Sequence, residues 1–189
     1  MGIEIHDGIE LWQVKLFDPG AALRVGAYHG LTGTNAYSIG ANLLWGQFWP
    51  LSRGATADRI AVSVQTAEAG KVMRLGIYAD DDLDGYPDRL VLDAGEADLS
   101  ATGTSALVID QHLPAGLYFL AMLSDSANAK LWMEDVPRFP SPLGTIGGAP
   151  GLPAFAWRVA QAYGALPDPF PSGATEMNDV WSVALRVGE

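Results

Sequence analysis
The chain contains no cysteine, which excludes a disulfide framework and any thiolate metal site. Charge is sparse, at 17% of 189 residues, and positive charge sparser still: 11 Lys and Arg stand against 22 Asp and Glu, for a net charge of −11. No basic run occurs. Nucleic-acid binding needs cations clustered against phosphate, and an anionic membrane surface repels an acidic chain, so neither is expected as a partner. No apolar run is long enough to span a bilayer. The first residues, Met1-Gly2-Ile3-Glu4-Ile5-His6-Asp7, lack the basic start and apolar stretch of a secretion signal. No helical period of useful length stands out, and the nearest, residues 154–163, reads equally well as a strand. The Gly-x-Ser-x-Gly elbow, the Walker loop, the zinc-protease helix and the dinucleotide fingerprint are all missing. His6, His29 and His112 lie far apart with no ligand spacing, and His112 reads as a loop residue. We therefore expect no enzyme. A glycosidase carboxylate pair stays open in principle, but most acids fall in turn segments, where solvation explains them.

What the chain does have is hydrophobic residues, at 49%, together with 22 Gly and 12 Pro. That mixture suits a loop-rich, all-β domain with a substantial core. The organising stretch is residues 49–123. In residues 58–66, Ile60, Val62 and Val64 share one face. In residues 71–78, Met73, Leu75 and Ile77 alternate with Val72, Arg74 and Gly76. Residues 105–109 form a shorter run, and in residues 116–123 Leu117, Phe119 and Ala121 oppose Tyr118, Leu120 and Met122. Period-two alternation marks strands with one buried face, and the Gly-, Asp-, Pro- and Ser-rich links between them mark turns. Together they predict an antiparallel β-sandwich. Further strands are expected over residues 9–17, 23–28, 130–133, 155–160 and 179–187, with a surface connection over 93–103. Residues 1–44 read as an N-terminal arm or edge strands and 45–189 as the sandwich. Long Pro/Gly-rich loops are expected over residues 137–153 and 166–174.

The sharpest local signal is Asp80-Asp81-Asp82-Leu83-Asp84-Gly85-Tyr86-Pro87-Asp88. Asp80, Asp82 and Asp84 followed by Gly85 match the first half of a calcium loop, and Asp88 adds a fourth acid; alternate carboxylates can converge on a hard cation. Val91 stands where the closing bidentate Glu of such a loop belongs, so the competing reading is a hairpin loop whose acids face water. Calcium is the only cofactor considered. The dense aromatic group Trp45, Phe48 and Trp49 reads as core or subunit packing, or else as a platform for glycan stacking. Arg53 and Arg59 read as structural, in an ion pair with Asp58.

One resemblance adds to this. Trp49-Pro50-Leu51-Ser52, Asp58-Arg59-Ile60, Arg74-Leu75-Gly76-Ile77-Tyr78, Gly85-Tyr86-Pro87, Leu92-Asp93-Ala94-Gly95 and Leu113-Pro114-Ala115-Gly116-Leu117-Tyr118 follow one another in the order of a module in tailed-bacteriophage structural proteins. The chain resembles the minor tail or tail-fibre type over about residues 45–123. The resemblance implies a jelly-roll-like sandwich in a virion assembled in the host cytoplasm, commonly trimeric. It would stand at a host-facing tip, as a receptor-binding tail fibre, or on the capsid exterior, as a decoration protein. Its partners would be copies of itself, other virion proteins and a host surface glycan or protein. It implies no catalytic residue. A free-standing carbohydrate-binding module is the rival reading.

Overall fold
In the computed structural model, the described residues are 28–29, 35–51, 53–134, 156–177 and 180–187. The strand expected over residues 9–17 and the first proline loop lie outside them. The described residues are all-β, with no helix. The strands are β1 (Tyr28–His29), β2 (Asn35–Tyr37), β3 (Leu43–Leu51), β4 (Ala55–Thr66), β5 (Val72–Ala79), β6 (Leu90–Asp98), β7 (Gly103–Leu113), β8 (Gly116–Ser124), β9 (Lys130–Glu134), β10 (Ala156–Ala160), β11 (Thr175–Met177), β12 (Val180–Trp181) and β13 (Val183–Val187).

They form two antiparallel sheets. One has six strands in the order β11-β10-β3-β8-β5-β6. The other has seven, built on β4: β7 runs along one side, while β13 and then β9 follow each other along the other side. β12 and β13 are one strand interrupted at Ser182, whose carbonyl accepts from the Ser63 amide and whose amide donates to the Trp132 carbonyl. Residues 180–187 are thus wedged between β4 and β9 where those strands splay apart.

The two sheets meet over one core. Ile60, Val62 and Val64 of β4 and Val183 and Leu185 of β13 pack on Trp45, Trp49, Met73, Leu75, Ile77, Leu120 and Met122 of the six-stranded sheet. On β4, β5 and β8 these are residues that the alternation places on one face of each strand. Gln47 ties the layers directly: its side-chain oxygen accepts from the Trp181 amide at 3.1 Å across the core.

The six-stranded sheet has a second core on its other face. Leu44, Phe48, Tyr78, Leu117, Phe119, Ala121 and Leu123 point away from the first core and are covered by Leu166 and Phe170. Strands covered on both faces lose their wet side, which is why β3, β5 and β8 are buried almost throughout. β3 was not legible as a strand because Gly46 and Pro50 interrupt it. Among the described residues β10 flanks β3 from Leu43 to Gln47, and at Pro50 the ladder partner is β8.

Other expectations change. The run at residues 105–109 is an 11-residue strand, and His112 lies within it. Much of the expected surface connection is strand β6. Residues 35–44, expected as part of an arm or edge strands, pair into both sheets through β2 and the start of β3. Asp58 pairs not with Arg53 or Arg59 but with Arg186 of β13, whose Nε donates to Oδ1 at 2.8 Å; Arg59 instead donates to the Asp58 backbone carbonyl. The Arg186 hydrogen bond holds the Asp58 carboxyl below its ordinary value of 3.8. A lowered carboxyl contributes stability that is present above the unfolded pKa and lost as pH falls through the folded one. Asp58→Asn should therefore lose less melting temperature than the wild type between about pH 5 and pH 3, as thermal scans would show.

Candidate functional site
The acidic loop joins β5 to β6 at one end of the six-stranded sheet. Its shape follows from its own side chains. Asp80 is 5% exposed; its Oδ1 accepts from the Asp84 amide at 3.2 Å and its Oδ2 from the Gly85 amide at 3.0 Å. Asp84 Oδ1 accepts from the Tyr86 amide at 2.8 Å, and Asp88 Oδ2 from the Asp81 amide at 2.9 Å. Leu83 at φ 63° and Gly85 at φ 85° take the left-handed conformations that bring these amides round. Arg89 clamps Asp81 through two bonds of 2.9 and 3.0 Å.

The fold brings ligand atoms of Asp80, Asp82 and Asp88 within 4.8 Å of one another. Asp84, expected with Asp80 and Asp82, is not in this group; its Oδ1 accepts from the Tyr86 amide within the loop. The convergent set is thus 80, 82 and 88: the turn at residues 83–86 folds the chain back so that the last acid meets the first. Such a set of carboxylate oxygens suits a hard cation such as Ca2+. Burial is the main influence on Asp80, raising its carboxyl above the ordinary value, while bonds from the Gly85, Leu83 and Asp84 amides oppose this and the Asp84 charge adds to it.

Residues 161–174 are laid against this loop, with Trp157 of β10 beside them. The Trp157 indole donates to the Gly85 carbonyl at 2.7 Å, the Tyr86 hydroxyl to the Pro171 carbonyl at 2.6 Å, and the Phe170 amide to the Asp88 carbonyl at 2.8 Å. The Tyr78 hydroxyl donates to the Pro167 carbonyl at 2.6 Å. Asp168 and Asp93 accept from the amides of Leu90 and Leu166. Phe170 packs edge-on against both Tyr78 and Tyr86, with ring centroids 5.1 and 5.8 Å apart. The site is therefore a rigid corner of two loops. The signal for it was the proline and aromatic content of residues 166–174, but its partners lie some eighty residues away.

Of the readings for the aromatic group, core packing is the one that the structure shows. Trp45, Phe48 and Trp49 are 3%, 6% and 7% exposed, so none offers a ring face to a glycan or to another subunit. β3 lies between β10 and β8, with Trp45 and Trp49 turned into the first core and Phe48 into the second. Trp45 packs edge-on against Trp181 at 5.2 Å and donates its indole N–H to the Ile39 carbonyl at 2.9 Å. No protein-family model matches the chain, and no curated protein matches it.

Proposed function
We propose that this chain is a non-enzymatic structural component of a tailed-bacteriophage virion, of the tail-fibre or receptor-binding type, mediating host attachment. Capsid decoration is the alternative position on the particle. The observation that carries the reading is the order of motifs over residues 45–123, and their placement supports it. Leu75-Gly76-Ile77-Tyr78 lies on β5, Gly85-Tyr86-Pro87 closes the acidic loop, and Leu113-Pro114-Ala115-Gly116-Leu117-Tyr118 makes the turn from β7 into β8. These converge: Ala79 is paired with Tyr118, and the Asp80 amide donates to the Leu117 carbonyl at 3.0 Å. Three of the motifs thus meet at one end of the six-stranded sheet, where the chain arrives from β7 of the other sheet. The jelly-roll-like topology and self-assembly belong to this reading.

The test is immunogold electron microscopy of tailed particles whose genome encodes the chain, using antibody raised against it. Gold at the tail tip supports the attachment role, and gold over the head supports decoration. Particles free of the chain by labelling and by mass spectrometry overturn both. The carbohydrate-module reading needs a solvent-open row of aromatics, and the tryptophan-rich strand does not provide one.

A further inference from the structure
Asp84-Gly85 is the chemically weak bond of the acidic loop. A glycine after an aspartate leaves the next peptide nitrogen without a Cβ to shield it, so that nitrogen can attack the aspartate's own side chain. Of the acids in this loop, Asp84 alone precedes a glycine, and it is exposed. The turn requires that glycine: Gly85 sits at φ 85°, where an L side chain is strained. The bond's surroundings oppose the reaction. The Gly85 amide donates to Asp80 Oδ2 at 3.0 Å, and the Asp84 amide to Asp80 Oδ1 at 3.2 Å. The Gly85 carbonyl accepts from the Trp157 indole at 2.7 Å. Asp84 Oδ1 accepts from the Tyr86 amide at 2.8 Å, and the Tyr86 hydroxyl is tied to the Pro171 carbonyl. The peptide planes on both sides of Gly85 are therefore held, and so is the side chain that would be attacked.

We propose that Asp84 is a latent isoaspartate site, which the Asp80 carboxylate keeps closed by holding the Gly85 amide. In the reaction the Gly85 nitrogen bonds to Cγ of Asp84 and the Cγ–O bond breaks. One water leaves, made of the amide proton and the carboxyl hydroxyl, and a five-membered succinimide remains. A second water opens that ring between the nitrogen and the Asp84 main-chain carbonyl carbon, so the chain now runs through the side chain. No oxidant or co-reactant is needed, and the mass returns to its starting value. Two conditions of the first step are denied here. The nitrogen is a nucleophile only without its proton, and that proton is shared with Asp80 Oδ2. It meets Cγ only if the Asp84-Gly85 peptide rotates, and its bond to Asp80 fixes that plane while Trp157 fixes the next. Opening the loop releases these restraints together. The change runs one way. Isoaspartate inserts a methylene into the main chain and takes the Asp84 carboxylate away from the Tyr86 amide, so the reversal at residues 83–86 does not re-form. The loop thereby keeps a covalent record of its own opening. That holds whether or not the chain belongs to a virion, and whether or not the loop takes a cation.

The test is prolonged incubation of the whole chain at neutral pH in chelator, native and in urea. Isoaspartate is read with an isoaspartate-specific carboxyl methyltransferase and labelled S-adenosylmethionine. Peptide mapping separates Asp84 from Asp7-Gly8, the chain's other Asp-Gly pair. The native chain should convert Asp84 about tenfold or more slowly than the unfolded chain, the retardation expected of an amide held by a charged acceptor. Asp80→Ala should recover most of the unfolded rate. Asp82→Ala, which removes a bond to the Asp84 amide and none to Gly85, should stay slow. Val62→Ala truncates the core on the other sheet and controls for general loss of stability, so it should stay slow too. If Asp80→Ala does not fold, exchange of the wild-type Gly85 amide decides: slow exchange is expected, and exchange as fast as in the unfolded chain overturns the proposal. Equal native and unfolded rates, a folded Asp80→Ala as slow as wild type, or Asp82→Ala or Val62→Ala as fast as Asp80→Ala would each overturn it as well.

Discussion

Replacing Gly76 with alanine is expected to destabilise the fold by about 1–3 kcal/mol, the range for overpacking a filled interior, whereas Gly46→Ala should be neutral or slightly stabilising. Urea unfolding of the two variants beside the wild type would measure it. Both glycines lie in buried strands of the same sheet, so composition does not separate them; their neighbours do. A Cβ on Gly76 would overlap Leu166 Cδ1 and stand 2.5 Å from the Leu92 carbonyl oxygen. The leucine side chain can swing, but the carbonyl is backbone, held where β5 and β6 pair around a register shift between Leu75 and Gly76. The strand itself must give, and the loop over the second core must lift with it. A Cβ on Gly46 meets the Phe170 ring and Pro87 at 3.5 Å and Phe119 Cβ at 3.6 Å, all ordinary contact. There it adds packing and removes some of the chain entropy that glycine brings to the unfolded state. Equal losses at the two sites would mean that residues 161–174 and β6 are not packed as tightly as the geometry says. Raised amide exchange confined to residues 90–98 and 161–174 in Gly76→Ala would localise the damage.

The same region explains what could be read in advance. β4, β5 and β8 were legible because alternation states which side chains share a face, and it does so even where both faces are buried: Leu75 and Phe119 belong to different cores and both are at 0% exposure. β3 was not legible, since Gly46 and Pro50 break the alternation of Leu44, Trp45, Phe48 and Trp49. β6 was missed because Asp93, Gly95 and Glu96 look like a loop. Those acids are in place because Arg74 on the neighbouring strand binds Asp93 at 2.8 Å, and Tyr163 from the covering loop binds Glu96 at 2.9 Å. At the acidic loop, the sequence offered Asp80, Asp82, Asp84 and Asp88 as one set, and the fold brings together three of the four, leaving Asp84 out. Spacing alone assumes a smooth turn, and it carries no information on the reversal at Leu83 and Gly85 or on the segment that packs over it.

Within that loop, Asp80 and Asp82 are expected to behave oppositely. Asp80→Ala should lower stability by about 1–3 kcal/mol, because it takes the acceptor from the Gly85 amide and leaves the Asp84 amide only its 3.3 Å bond to Asp82 Oδ1. Asp82 is exposed, and Asp82→Ala should stay within about 0.5 kcal/mol of wild type in chelator. Millimolar calcium should raise the melting temperature of the wild type, since an ion relieves the repulsion of carboxylates gathered within 4.8 Å, and Asp82→Ala should lose most of that rise while keeping its fold. If calcium moves neither protein, the loop is a hairpin held by its own amides and the cation reading fails. Acidity gives an independent handle. Burial raises the Asp80 carboxyl above 3.8, so the folded chain binds that proton more tightly than the unfolded one. The contribution is full below the unfolded pKa and lost as pH rises through the folded value. Asp80→Asn is uncharged at every pH and lacks this slope. In chelator the wild type should therefore lose stability relative to Asp80→Asn as pH climbs from about 3.5 toward neutrality, and calcium, which favours the ionised carboxylate, should restore it at the upper end of that range.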